Sequence, residues 1–370
     1  MEKNSITIRQ ATMLWVMHQI GSAFLLLPGP IANSAKQDAW ISIIVSIFLS
    51  TLLVFLYTII VKQMHGQTFV HYLHTIFGTY AAKISLFVFV ICYPFIIFLT
   101  TLRDLGDFLA NSFLTITPIE AVLVMMLLPV YFVLRSGLNT IGRVAEVLFF
   151  IVIVLFCTGY FPLLPKLDWF NIKPIYEFGW KPIVAGSFIL FSFPYFENIF
   201  ILFIIDKLSK STKWKTVIIK STMISGFAFF LVTFLSIGIL SQGVVADIRY
   251  PSFFVVQTIT IADFFERFEV IIAILWYITI FFRLSLLLYI ILEGLKGVFN
   301  LTSNQSLLLP VCFISLFGAM SIWDDVTSLI EYLEVWPFYA SLFGLLFPLL
   351  LICLGLFRKK ALENKKGINR

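Results

Sequence analysis

Glu197 and Arg283 each stand alone beside long uncharged stretches, and His18 lies inside a third. A carboxylate or guanidinium in apolar surroundings is costly. It persists where it pairs, faces a watered cavity or carries an ion or proton path. Two of these stretches also hold residues that interrupt helical backbone. One reads Gly21-Ser22-Ala23-Phe24 and then Leu27-Pro28-Gly29-Pro30; the other reads Phe191-Ser192-Phe193-Pro194-Tyr195-Phe196-Glu197. Pro194 removes a backbone donor and disfavours helix at Phe193. A broken helix exposes N–H groups that can hold a carboxylate and carbonyls that can hold an ammonium or a cation. An amino acid offers both charges on one small molecule. The plainer alternative makes Gly21 a packing glycine and Pro194 a simple kink.

The elements that must position these residues follow from composition. The chain has 370 residues, 60% of them hydrophobic and 12% charged, with 42 Phe. An ordinary soluble domain carries about 25% charged residues, and a soluble chain cannot hide so much apolar surface. A soluble enzyme, a disordered chain and a disulfide scaffold are excluded, and a multi-pass membrane protein remains. The net charge of +6 is no nucleic-acid footprint, because the basic residues cluster between apolar runs. No nucleophile motif, phosphate loop or metal constellation is present, and no cofactor is expected. Cys92, Cys157, Cys312 and Cys353 lie in apolar runs without CxxC spacing and read as core packing. The first apolar run is too long for a cleavable signal and lacks a small-x-small cleavage site.

Residues 10–35, 39–61, 84–102, 121–134, 147–165, 182–196, 221–246, 270–282, 297–323 and 335–357 contain no Asp, Glu, Lys or Arg. They predict ten transmembrane helices, since a bilayer core cannot satisfy an open sheet edge. With the N-terminus inside, the inner segments carry 18 Lys and Arg and the outer segments 6, which places both termini in the cytoplasm. The Lys207–Lys220 cluster suits anionic inner-leaflet lipid. Phe69, Tyr72, Leu73, Ile76 and Phe77 follow helical spacing and read as a helix lying on the inner membrane surface. His71 and His74 within it read as interfacial polar residues rather than metal ligands. The outer segment of about 241–266, with Pro251 and Phe253-Phe254-Val255-Val256, reads as a partial lid.

The interruptions fall in the first and sixth of ten spans. Interrupted segments at corresponding places in two halves point to a transporter-type site. They imply a single domain over 1–370, a 5+5 inverted repeat with repeat one at about 8–165, repeat two at about 180–357 and a cytoplasmic tail at 358–370.

This layout resembles the amino acid–polyamine–organocation superfamily. More closely, it resembles the endospore germination permeases, the B subunits of GerA-type germinant receptors. The resemblance rests on Ile8-Arg9-Gln10, Gly21-Ser22-Ala23-Phe24-Leu25-Leu26-Leu27-Pro28 and Phe193-Pro194-Tyr195-Phe196-Glu197, taken in order and spacing across nearly the whole chain. Where the family often has a second glycine near Gly21, this chain has Ala23-Phe24. The resemblance implies a spore inner-membrane protein that works with receptor A and C subunits and binds a small-molecule germinant, commonly an amino acid. It also implies that the third and eighth spans line the site. Tyr93 and Ile97, i,i+4 beside the kink at Pro94, then face the ligand, as do Thr279 and Arg283. Phe24, Phe191, Phe193, Tyr195 and Trp276 complete an aromatic wall, with Gly21 and Ser22 leaving room for an amino acid backbone.

Glu197 and Arg283 are expected to pair or to share one watered cavity, as coupling or gating groups. Arg283 either replaces a coupling sodium ion between the first and eighth spans or serves as a structural ion-pair member. Arg103, Asp104 and Asp107 read as an interfacial ion pair or an outer gate; Arg143 and Glu146 read as structural. Asp324, Asp325, Glu331 and Glu334 make the last outer loop acidic. Three functions compete: a ligand sensor read by partner subunits, an amino-acid permease coupled to protons through Glu197 or His18, and a passive anchor.

Overall fold

The computed structural model describes residues 5–259, 267–323 and 326–368, without the side chains of 22–23, 326–330 and 359–368. Asp324 and Asp325 therefore lie outside the described residues, as does the Ser22 side chain. The described chain is nearly all helix and holds no strand; its one β-bridge joins Ile6 to Leu208.

The helices are α1 (Ile8–Ala23), α2 (Pro28–Ala35), α3 (Ala39–Met64), α4 (Phe69–Phe77), α5 (Thr79–Val90), α6 (Ile96–Ser112), α7 (Ile119–Arg135), α8 (Leu138–Tyr160), α9 (Trp180–Ser192), α10 (Trp214–Leu240), α11 (Gln242–Asp247), α12 (Pro251–Gln257), α13 (Glu269–Phe299), α14 (Gln305–Met320), α15 (Val326–Ser341) and α16 (Phe347–Ile368). Among the described residues, seven helical stretches are long and apolar enough to cross a membrane. They are Pro28–Met64, Thr79–Ser112, Leu138–Lys166, Trp180–Phe203, Ser211–Leu240, Glu269–Phe299 and Glu331–Arg358. Seven rather than ten meet that length because α1, α7 and α14 have only 16, 17 and 16 residues. Helix α1 stops at a break, and α7 grows from the shortest but one of the charge-free runs.

Both interruptions exist, and one is displaced from its expected place. Helix α1 runs through Gly21 and ends at Ala23; the break is the turn at 24–27. Pro28 explains the position. It lacks the N–H that would reach back to the Phe24 carbonyl, and the Ser252 hydroxyl donates to that oxygen instead, at 2.7 Å. Gly21 is a packing residue. A Cβ there would lie 2.5 Å from the Thr279 carbonyl oxygen, so its lack of a side chain lets α1 and α13 touch along their backbones. The second break follows the expected sequence. Phe193 is extended (φ −146°, ψ 96°), Pro194 follows, and tight 3-10 helix resumes over Tyr195–Phe203, every residue of which is buried.

Two single π-turns interrupt other helices. One, Ile91–Phe95, absorbs Pro94 between α5 and α6; the other, Leu342–Leu346, lies between α15 and α16. They meet through Tyr93 and Phe343, whose rings stack with centroids 5.0 Å apart.

The halves interlock. Helix α1 packs along α10, and α9 packs along α3, so each broken segment lies against the second long helix of the opposite half. Apolar side chains such as Phe48, Phe55, Phe132, Phe227 and Phe317 face outward, as a lipid-facing surface requires.

Helix α4 buries Phe69, Tyr72 and Leu73 against the protein. Phe69 meets Phe203 at 5.0 Å, and the Tyr72 hydroxyl donates to Gln63 at 2.5 Å. His71 is exposed and His74 half-buried. At the other end, α11 and α12 fold over α2, with Phe253, Val255 and Val256 buried and Phe254 exposed. We call this the capped end and the opposite one, with Lys207 and Lys296, the basic end. Cys92 and Cys157 are half-buried, Cys312 buried and Cys353 exposed, all as free thiols.

Candidate functional site

The break at Phe193-Pro194 delivers Glu197 to the middle of the bundle, where α13 presents Arg283. Both side chains are fully buried, and they form a two-pronged pair. Arg283 Nη1 donates to Glu197 Oε2 at 2.8 Å and Nη2 to Oε1 at 2.9 Å. The fork geometry matches a carboxylate and gives the strongest form of such a pair. Arg283 directs two more donors to Thr101 Oγ1, at 3.1 Å from Nε, and to the His18 carbonyl, at 3.4 Å from Nη1. Its guanidinium also covers the Phe193 ring at 5.2 Å. His18 Nε2 lies 3.1 Å from Glu197 Oε2. The centre thus joins α1, α6, α13 and the broken segment that follows α9, and the charges compensate each other.

Beside it stands an aromatic group. Tyr93 lies near-parallel to Trp336, centroids 6.2 Å apart, and Phe193 meets Trp336 edge-on at 5.8 Å. Tyr332 packs on Trp336 at 5.1 Å. The Tyr93 hydroxyl and the Trp336 indole N–H are buried without a hydrogen-bond partner among the described residues. Stranded donors of this kind cost about 1–3 kcal/mol each.

Under the ion pair lies a second polar layer. Asn198 Oδ1 accepts from Trp15 Nε1 at 2.8 Å and from Gln19 Nε2 at 2.9 Å, while Asn198 Nδ2 donates to Ser50 Oγ at 3.2 Å. Ser225 donates to Gln19 Oε1 at 2.8 Å. One amide therefore ties α1, α3 and the segment that follows α9 together, with α10 joined through Gln19.

Of the residues expected from sequence, Tyr93, Phe193, Glu197 and Arg283 come together. Thr279 is buried one turn from Arg283, its hydroxyl turned back on the Leu275 and Trp276 carbonyls and its own carbonyl against Gly21. Ile97 is buried on the helix that carries Thr101. Other members of the expected wall face elsewhere. Phe24 packs on Tyr160 at 5.6 Å, Trp276 on Phe108 at 5.0 Å and Phe191 on Phe196 at 4.6 Å, while Tyr195 points to Gly226 on α10. Aromatic type alone does not say which side of a helix a ring takes. Sequence reasoning passed over Asn198, Trp15, Gln19, Thr101, Tyr332 and Trp336. Trp15, His18 and Gln19 did carry a signal: spaced i, i+3, i+4, they form one polar stripe on an apolar helix.

Toward the capped end, a cavity of about 550 Å³ opens between α2, α9, α15 and the 246–249 segment, with Leu26, Ile189 and Pro337 on its apolar side and Asp247, Arg249 and Glu334 on its polar side. Its polar edge is pinned by a network. Arg103 pairs with Asp107 at 2.9 Å and donates to the Met320 carbonyl at 2.8 Å. Arg249 reaches Asp107 at 3.2 Å and Asp104 at 3.5 Å, and Trp323 Nε1 donates to Asp107 at 3.1 Å. The Tyr250 hydroxyl, its pKa raised by burial, donates to Asp104 at 3.3 Å. Arg103, Asp104 and Asp107 are thus joined by Arg249 into a strap across α6, the capping segment and the end of α14. At the basic end, Glu146 pairs with Arg9 at 3.2 Å and accepts from Gln10 at 3.0 Å.

Comparison with known proteins agrees with this architecture. The chain is 27% identical over 99% of its length, and 99% of the relative's, to spore germination protein KB of Bacillus subtilis (strain 168). It is 25% identical to spore germination protein YndE of the same organism, covering 96% of this chain and 98% of that one. Among solved structures, the nucleobase-cation-symport-1 family transporter Mhp1, closed around bromovinylhydantoin, superposes with a TM-score of 0.67 at 11% identity, over 90% of this chain and 75% of that chain. A manganese transporter of Eremococcus coleocola gives 0.60 at 13% identity, over 93% and 78%. These neighbours share the fold of LeuT-type transporters. The profile of the family described as spore germination protein matches residues 5–325, and the chain belongs to that family of multi-pass, permease-like membrane proteins.

Proposed function

We propose that this protein is the germinant-sensing membrane subunit of a spore germination receptor. It binds a small nutrient, an amino acid, at mid-membrane and signals to receptor A and C subunits. It sits in the spore inner membrane with both termini on the core side, so that the capped end faces outward. The observation that carries this reading is the buried Arg283–Glu197 pair at the helix break, beside the unpartnered Tyr93 hydroxyl. A zwitterion is the solute matched to such a centre. Its carboxylate takes the guanidinium, its ammonium takes Glu197, and no charge is left uncompensated in a medium where that is expensive. The outer cavity supplies the approach. Binding acts on the partners only by favouring one conformer over another. The strap through Arg249 and the two breaks are the elements that change between conformers.

A second reading, a proton-coupled amino-acid permease, is favoured by the 3.1 Å approach of His18 to Glu197. Two measurements separate the readings. The purified chain is screened for thermal stabilisation by single amino acids, and vesicles carrying it are tested for uptake of the stabilising ones. Stabilisation without uptake supports the sensor; uptake driven by a proton gradient supports the permease. If spores carrying only this receptor respond to a nutrient that never stabilises the purified chain, the binding role is wrong and the chain is an anchor.

A further inference from the structure

At the basic end, two cavities of about 420 and 410 Å³ meet at Lys207, Glu293 and Lys296. The second is bounded by the amino end of α8, where Gly137 takes φ +90° so that the chain can turn sharply into the helix. That 23-residue helix directs the positive end of its dipole into the cavity. Arg143, Lys207 and Lys296 line it, and Tyr289 adds a hydroxyl. Arg143 is exposed. Lys207 is held charged by Asp206, 2.9 Å away, which raises its pKa. The one carboxylate in the lining, Glu293, is already engaged. Asn304 donates to its Oε1 at 2.8 Å, and Lys296 lies 3.6 Å from its Oε2. Three cations and a helix amino end thus stand against two carboxylates, Asp206 and Glu293, each already paired with a lysine, and the net charge stays positive.

We propose that this cavity binds the phosphate group of an anionic molecule. A phospholipid headgroup is the source that the surroundings favour. Phe132 on α7 and Val147 on α8, about a turn or two from the cavity, are 59% and 66% exposed and offer acyl chains an apolar wall. Basic pockets between membrane helices hold anionic headgroups in this way. The inference is independent of the nutrient site.

The test is calorimetric titration of the full chain in a neutral maltoside detergent with three probes: dihexanoyl phosphatidylglycerol, dihexanoyl phosphatidylcholine and inorganic phosphate. Phosphatidylglycerol binds and phosphatidylcholine does not. Each of Arg143→Gln and Lys296→Gln weakens binding roughly fivefold, the expectation for one basic residue near an anionic lipid surface. Lys215→Gln, in the neighbouring basic run but outside the cavity, leaves it unchanged. Inorganic phosphate binding as tightly as the lipid keeps the site but assigns it to a soluble phosphate. The proposal is overturned if neither anion binds, if phosphatidylcholine binds equally, or if Arg143→Gln and Lys296→Gln, both folded by circular dichroism, bind like the parent.

Discussion

Removing one partner of the central pair is the sharpest perturbation available. In Arg283→Gln the amide cannot span both oxygens of Glu197, and the carboxylate stays fully buried with only His18 close by. An orphaned charge of this kind costs about 3–5 kcal/mol. At about 2 °C per kcal/mol for a large chain, the melting temperature falls by roughly 6–10 °C. Glu197→Gln strands the guanidinium and costs a similar amount, softened by Thr101 and the His18 carbonyl. The double variant Arg283→Met with Glu197→Leu restores most of the loss, because replacing a whole buried pair by apolar groups is near neutral. Tryptophan-fluorescence melting of the purified chain reads all four proteins. Losses that simply add in the double variant would refute the pairing. The double variant also isolates function: it folds, yet under the proposed chemistry no amino acid stabilises it.

Three further outcomes follow from the packing. Gly21→Ala drives a methyl into the Thr279 carbonyl, 2.5 Å away, and costs about 1–3 kcal/mol; a melting temperature like the parent's means that α1 and α13 do not touch there. Asn198→Ala strands the Trp15 indole donor at about 1–3 kcal/mol, seen as a lower melting temperature; no change rejects the amide as the tie between helices. Arg249→Gln releases the strap at its partly exposed arginine. In a Cys353→Ser background, maleimide labelling of Leu26→Cys beside the outer cavity then speeds up about fivefold, the factor for a contact of ~1 kcal/mol; an unchanged rate shows that the strap does not govern access.

Charge is what makes this sequence legible. In an apolar chain every Lys, Arg, Asp or Glu is conspicuous, so the multi-pass helical character and the meeting of Glu197 with Arg283 can be read before any coordinates, while the number of spans cannot. Proline is legible too, but its effect is felt up the chain. Pro28 opens the helix at Phe24, four residues earlier, and Gly21 belongs to a helix contact instead. What stays hidden is the direction in which aromatic rings face. Phe24 and Trp276 resemble Tyr93 and Trp336 in type and depth, and only packing sends the first two to the capped end. Asn198 is hidden for a related reason: its importance comes from Trp15, Gln19 and Ser50, none of them near it in sequence.

The crossed packing of the two halves has a bearing on how the chain is made. Helix α1 is synthesised well before α10, along which it rests and which begins only at Trp214. At about 5–20 residues per second, a ribosome needs on the order of 10–40 seconds to bridge that gap. For most of that time Glu197, which His18 meets, and Asn198, which accepts from Gln19, have not yet been made, although α8 arrives earlier to pack on α1. The opening segment must wait at the translocon or in lipid with its polar stripe uncovered, and the molecule is sealed only when its second half arrives.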